Sequence, residues 1–123
     1  MNADDLWFPG FCVKRAGSAR LLSWRDGEGL IIAVAGELDV ANAVTVKGQL
    51  RETIAAEGAR DVAIDLAGVE FCDVAGLRAL LEAQQSAESR TVTCRFVRPS
   101  PQTLWLLHFS GLPTERFMSQ ETG

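Results

Sequence analysis

The octapeptide DVAIDLAG, residues 61 to 68, is flanked on both sides by segments that repeat with the period of a helix, and this alternation constrains the fold more than any other feature. Val62, Ile64 and Leu66 share one face of the run, as in a central strand. Before it, Ala43, Val46, Leu50 and Ile54 recur at helical spacing until Gly58 supplies a stop. After it, from Asp73, the residues Leu77, Leu80, Leu81 and Gln84 mark one side of a second helix that turns Glu82, Gln85 and Glu88 the other way. Strands joined through helices run parallel, so the spacing predicts an α/β protein with helical crossovers.

Residues 19 to 38 read ARLLSWR, DGEG and LIIAVAGEL, a hairpin signal with Asp26-Gly27 at the tip. TVTCRFV at 91 to 97 adds another strand, Ser100-Pro101 opens a third helix and Gly111 closes it. A short last strand is expected around Glu115 to Met118. The order is then β-β-α-β-α-β-α with that final strand, a mixed sheet with the hairpin at its edge. Residues 1 to 18 are expected outside the sheet as an N-terminal extension, 19 to 118 as the domain, and 119 to 123 as a tail.

A chain of 123 residues with 47% hydrophobic and 23% charged residues suits one globular domain. With 12 basic against 16 acidic residues and no basic run beyond Lys14-Arg15, it is a poor match for nucleic acid or an anionic membrane surface. A protein or a small molecule is the expected partner. The apolar run LWFPGFCV at 6 to 13 is short, broken by Pro9-Gly10 and preceded by Asp4-Asp5, unlike a signal peptide, and no segment is long enough to span a bilayer. Cys12, Cys72 and Cys94 have neither CxxC spacing nor histidine partners, so they read as small buried hydrophobes in a reducing, cytoplasmic setting.

Two short words carry the functional information: GELD at 36 to 39 and FCDVAGL at 71 to 77. Each places an aspartate, Asp39 or Asp73, where a strand gives way to a helix, and in a parallel pair those strand ends are neighbours. Either carboxylate can cap its helix, either can face a partner, and the two roles can coexist. GELDVANA, DLAGVEFCDVAGLRALL and RPSPQTLWLLHFSGL, in that order, resemble three successive signatures of the STAS domain, the module of bacterial anti-sigma factor antagonists. The resemblance covers roughly residues 19 to 118. It implies a mixed four- to five-stranded β-sheet with helices packed on one face.

In that family the loop before the second helix usually reads Asp-Ser-Ser-Gly or Asp-Ser-Thr-Gly, and a partner that is both anti-sigma factor and GHKL-type kinase phosphorylates the hydroxyl residue before the glycine. Asp73, Gly76 and Leu77 match the frame, but the acceptor position falls on Ala75, and Val74 replaces the neighbouring hydroxyl residue. A phosphoryl group there would add about two negative charges, and at about 6 Å each unit pair costs roughly 3 kcal/mol at an effective dielectric near 20. This chain lacks that switch. The resemblance implies that Asp39, Asp73, Val74, Ala75, Gly76 and Leu77 form a partner-binding surface for an anti-sigma factor kinase, with a sigma factor released by competition. It equally allows a structural subunit, either an accessory of a lipid-transport ABC system or a self-assembling stress-signalling scaffold. A third version would tune the first through oxidation of Cys72, beside Asp73.

On the third helix, Thr103, Leu106, Leu107 and Ser110 share one face, which points Leu104 and Trp105 elsewhere. They are expected to form a second contact patch, for another protomer, a partner, or the chain's own Trp7, Phe8 and Phe11. His108, the only histidine, has no acid or nucleophile at catalytic spacing and reads as a helix-surface residue. A receiver domain would need an acidic pair near its first strand and a lysine after a late one, a metal hydrolase would need more ligands, and no GxxxxGK[ST] or GxGxxG is present. A binding module is expected, with no enzymatic activity, metal or cofactor.

Overall fold

The computed structural model describes the backbone of residues 6 to 8 and the whole of residues 11 to 112. Among the described residues, six strands and three helices follow in the order β1 (Leu6–Phe8), β2 (Phe11–Ala16), β3 (Ala19–Asp26), β4 (Gly29–Leu38), α1 (Ala43–Glu57), β5 (Asp61–Cys72), α2 (Val74–Glu88), β6 (Thr93–Val97) and α3 (Pro101–Ser110). They form one mixed sheet in sequence order, antiparallel from β1 to β4 and parallel from β4 to β6. The strand expected at Glu115 to Met118 lies outside the described residues.

The α/β class, the hairpin and the crossovers stand as read from periodicity. Leu30, Ile32 and Val34 of β4 meet Val62, Ile64 and Leu66 of β5 and Cys94 and Phe96 of β6 on one face of the sheet, each almost fully buried. The apolar sides of α1, with Val46, Leu50 and Ile54, and of α2, with Leu77, Leu80 and Leu81, join the same core. Gln84 is buried too, and its Nε2 donates to the Cys94 carbonyl at 2.9 Å, which ties α2 to β6.

The leading segment corrects the expectation that residues 1 to 18 lie outside the sheet. Phe11–Ala16 pairs along its length with β3, and Leu6–Phe8 pairs with β2, so the sheet gains two strands at its hairpin edge. The cause is a second hairpin turn, Gly17-Ser18, with Gly17 at φ 59° between the paired residues Ala16 and Ala19. That two-residue signal was legible in the sequence.

Strand β5 runs four residues past Gly68, to Cys72, with register shifts against β4 between Ala33 and Ala35 and between Gly36 and Glu37. Each shift re-aims the residues beyond it. Val69 therefore points into the core, whereas Phe71 lies opposite Glu37 and is 51% exposed.

Candidate functional site

The carboxyl ends of β4 and β5 lead into α1 and α2, and the two loops there are fastened to each other. The Asp73 N–H donates to the Leu38 carbonyl at 3.0 Å. One Asp73 carboxylate oxygen, Oδ1, accepts the Gly76 N–H at 2.9 Å and so caps α2, while the other, Oδ2, accepts the Val40 N–H at 3.2 Å from the facing loop. The next turn packs tightly: a Cβ on Gly76 would sit 2.7 Å from Leu38 Cβ and 2.9 Å from its carbonyl oxygen, so only glycine lets α2 approach β4 this closely.

Asp39 is spent in a similar way. Its Oδ1 accepts the N–H groups of Ala41 at 3.0 Å and Asn42 at 3.2 Å, which organises the turn that opens α1. Both aspartates therefore stand at neighbouring strand ends, as expected, with carboxylates already engaged inside the chain. Of the other residues expected to meet a partner, Val74 is 39% exposed and Ala75 half-buried, but Gly76 and Leu77 are buried. Leu77 is a core anchor whose own helix covers it, which corrects its placement on the contact surface.

What surrounds the clamp is apolar. Val40 and Val44, each 77% exposed, lie on the α1 side, and Phe71 and Val74 on the α2 side. Val40, Val44 and Phe71 were not singled out from sequence, because a single valine in a loop or in the first turn of a helix carries no signal and the exposure of Phe71 depends on the β5 register shifts. Asn42 was missed as well, although the word GELDVANA contains it. It is 4% exposed, with its Nδ2 donating to the carbonyls of Ala16 at 3.0 Å and Glu37 at 2.8 Å.

Cys72 sits beside the clamp. Burial first, and then the Asp73 charge, pushes its thiol up to about 12, and its Sγ–H donates to the Asp73 carbonyl at 3.4 Å. A thiol held protonated is a weaker nucleophile than a thiolate.

On α3, Leu104 is half-buried against the core, which corrects its place in the expected second patch. The exposed pair is Trp105 with Phe109, each 65% exposed, their ring centroids 4.7 Å apart, and the exposed His108 ring stands edge-on to Phe109. The leading segment does not supply Phe11 as a cover: α3 lies against β5, whereas Phe11 stands on β2, where its ring packs 5.7 Å from Trp24. Away from both loops, a concavity of about 660 Å³ opens over Trp24, Ile31 and Ala63. There the buried Asp65 carboxylate is clasped by the Arg98 guanidinium and also accepts the Ala67 N–H.

Comparison with known proteins places this geometry. A family model described as "Mlab, STAS domain" matches residues 23–118. An anti-sigma factor antagonist from Mycobacterium paratuberculosis superposes with a TM-score of 0.68 at 24% identity, over 81% of this chain and 83% of that one. The anti-sigma factor antagonist SpoIIAA of Bacillus, in its unphosphorylated form, gives 0.60 at 20% identity, over 75% and 81%. A murine anion transporter of the solute carrier 26 family gives 0.59 at 22% identity, over 75% of this chain but 16% of the transporter. At such identities the likeness establishes the fold. No match is found among curated proteins. Among the described residues, no helix is long and apolar enough to cross a membrane.

Proposed function

Because this chain belongs to the STAS domain family, we propose that it is a regulatory binding module, an anti-sigma factor antagonist that docks on a GHKL-type anti-sigma kinase in the cytoplasm and frees a sigma factor by competition. The observation that carries the reading is the pair of clamped loops whose carboxylates are turned to internal donors while Val40, Val44, Phe71 and Val74 face outward. Such a surface suits binding through apolar contact.

The position that would accept a phosphate in the family is Ala75, so docking here is not reversed at that place by phosphorylation. Incubating the protein with its cognate anti-sigma kinase and ATP is expected to give a stable complex and an unlabelled antagonist. Radiolabelled phosphate on the wild-type chain would overturn the reading. Ala75→Ser is expected to restore transfer, because the Asp73 frame that presents the residue is intact.

A second reading, a structural subunit, is supported by the similarity to one domain of a transporter. Co-purification of transporter subunits, or self-assembly through Trp105 and Phe109, without any anti-sigma factor would favour it.

A further inference from the structure

Asn42 occupies the position that should cap α1, yet its side chain makes no capping bond to that helix. The helix start is organised from outside, by the Asp39 carboxylate and by the Asp39 carbonyl, which accepts the Ala43 N–H at 2.9 Å. The Asn42 amide is used elsewhere, almost fully buried. Its Nδ2 donates to Ala16 at the end of β2 and to Glu37 near the end of β4, and its Oδ1 accepts the Asp39 N–H at 3.0 Å. Serine and aspartate cap helices as well as asparagine does, but neither offers two donors and one acceptor in a fixed plane.

From this geometry we infer that Asn42 is the positioning residue of the docking surface: it holds the Asp39–Ala41 loop, and with it Val40, in the arrangement a partner meets, and it makes the leading strand β2 part of the docking machinery. The inference rests on the docking function proposed above. Its consequence is reciprocal, since a partner that binds the loop in this arrangement also stabilises the Ala16 end of β2.

Asn42→Asp in the full chain tests it. An ionised carboxylate keeps the acceptor for the Asp39 N–H but has nothing to donate to the two carbonyls. Burial against those oxygens raises the introduced carboxyl above the usual carboxylate range, and once protonated it can again donate to one of them. At neutral pH, affinity for the anti-sigma factor is expected to fall about ten-fold or more, and amide exchange to quicken at Val40, Ala41 and Glu37. Both are expected to recover as pH is lowered from about 7.5 to about 5, a step the wild type lacks. The charged groups around the site are Arg15 of β2, Glu37 of β4, Asp39 of the loop and Asp73 of the facing loop, which both proteins carry, so the test compares the two pH profiles.

Gln49→Ala is the control. It removes the other side-chain tie from α1 to β2, Nε2 to the Arg15 carbonyl at 2.7 Å, without touching the loop, and is expected to leave affinity within about two-fold. Wild-type affinity in Asn42→Asp at neutral pH, or a loss with no recovery in acid and no local change in exchange, overturns the inference. Should Asn42→Asp fail to fold at neutral pH, Asn42→Ser, which adds no charge, carries the exchange measurement, and unchanged protection at Val40 and Ala41 overturns it there. Should the wild type bind no anti-sigma factor, the proposed function falls, while the exchange comparison still decides whether Asn42 couples loop to strand.

Discussion

Asp73 does with one carboxylate what two residues usually share, capping its own helix through Oδ1 and holding the opposite loop through Oδ2. Asp73→Ala removes both bonds and is expected to destabilise the fold by about 2–3 kcal/mol, read from urea unfolding. Asp73→Asn keeps one acceptor and should recover part of that loss. Cys72 beside the clamp and Cys94 on β6 predict a second effect. Cys72 is raised by burial and then by Asp73, and Cys94 by burial and then by Glu88 and Asp61, each to about 12 from an ordinary value of 9.0. In that window the unfolded chain has released thiol protons that the folded chain retains, so stability is whole below about 9 and falls as pH rises towards 12. The chain has no tyrosine to add its own titration there. Replacing both residues by alanine should flatten the loss between about pH 9 and pH 11 in urea titrations. Sequence alone placed Asp39 and Asp73 at the right strand ends, because a change of period locates a strand end. It did not show where their oxygens point, since that depends on a loop 33 residues away in the case of Val40.

At the scale of elements, the docking surface proposed above draws on the end of β5, the loop before α1 and the first turns of α1 and α2. Phe71 reaches it only because β5 shifts register twice against β4. Phe71→Ser and Val44→Ser are each expected to weaken partner binding about ten-fold, since apolar anchors at the centre of an interface dominate its energy. Val44→Ser should move stability by no more than about 0.5 kcal/mol, because that side chain faces water, and Phe71→Ser by about 1 kcal/mol, because half of that residue is covered. Equal losses of binding and stability would remove these residues from the surface. The helices themselves were legible from sequence, as their caps are local: Gly58 and Gly111 take the left-handed conformation, and Ser100 accepts the Thr103 N–H. The register shifts were not, because DVAIDLAGVEFC carries no local signal for an extra residue against a neighbouring strand.

For the whole molecule, the leading strands decide where the sheet ends. β2 covers the edge of β3, buries Ala16 and supplies two carbonyls to α1 side chains. Deleting residues 1–17 uncovers an alternating strand edge and is expected to lower the melting temperature by more than about 5 °C and to give concentration-dependent self-association in sedimentation. An unchanged monomer with an unchanged melting curve would make those strands dispensable. The order of elements from β3 to α3, the parallel centre, the helix stops and the absent hydroxyl at Ala75 were determined by the sequence by itself, because period, turn residues and side-chain identity act over a few neighbouring positions. Only the tertiary structure decided that Leu77 is core, that Phe71 and Val40 face outward and that Asn42 links three segments. Those outcomes rest on register and on hydrogen bonds between residues far apart in the chain, which no local pattern encodes.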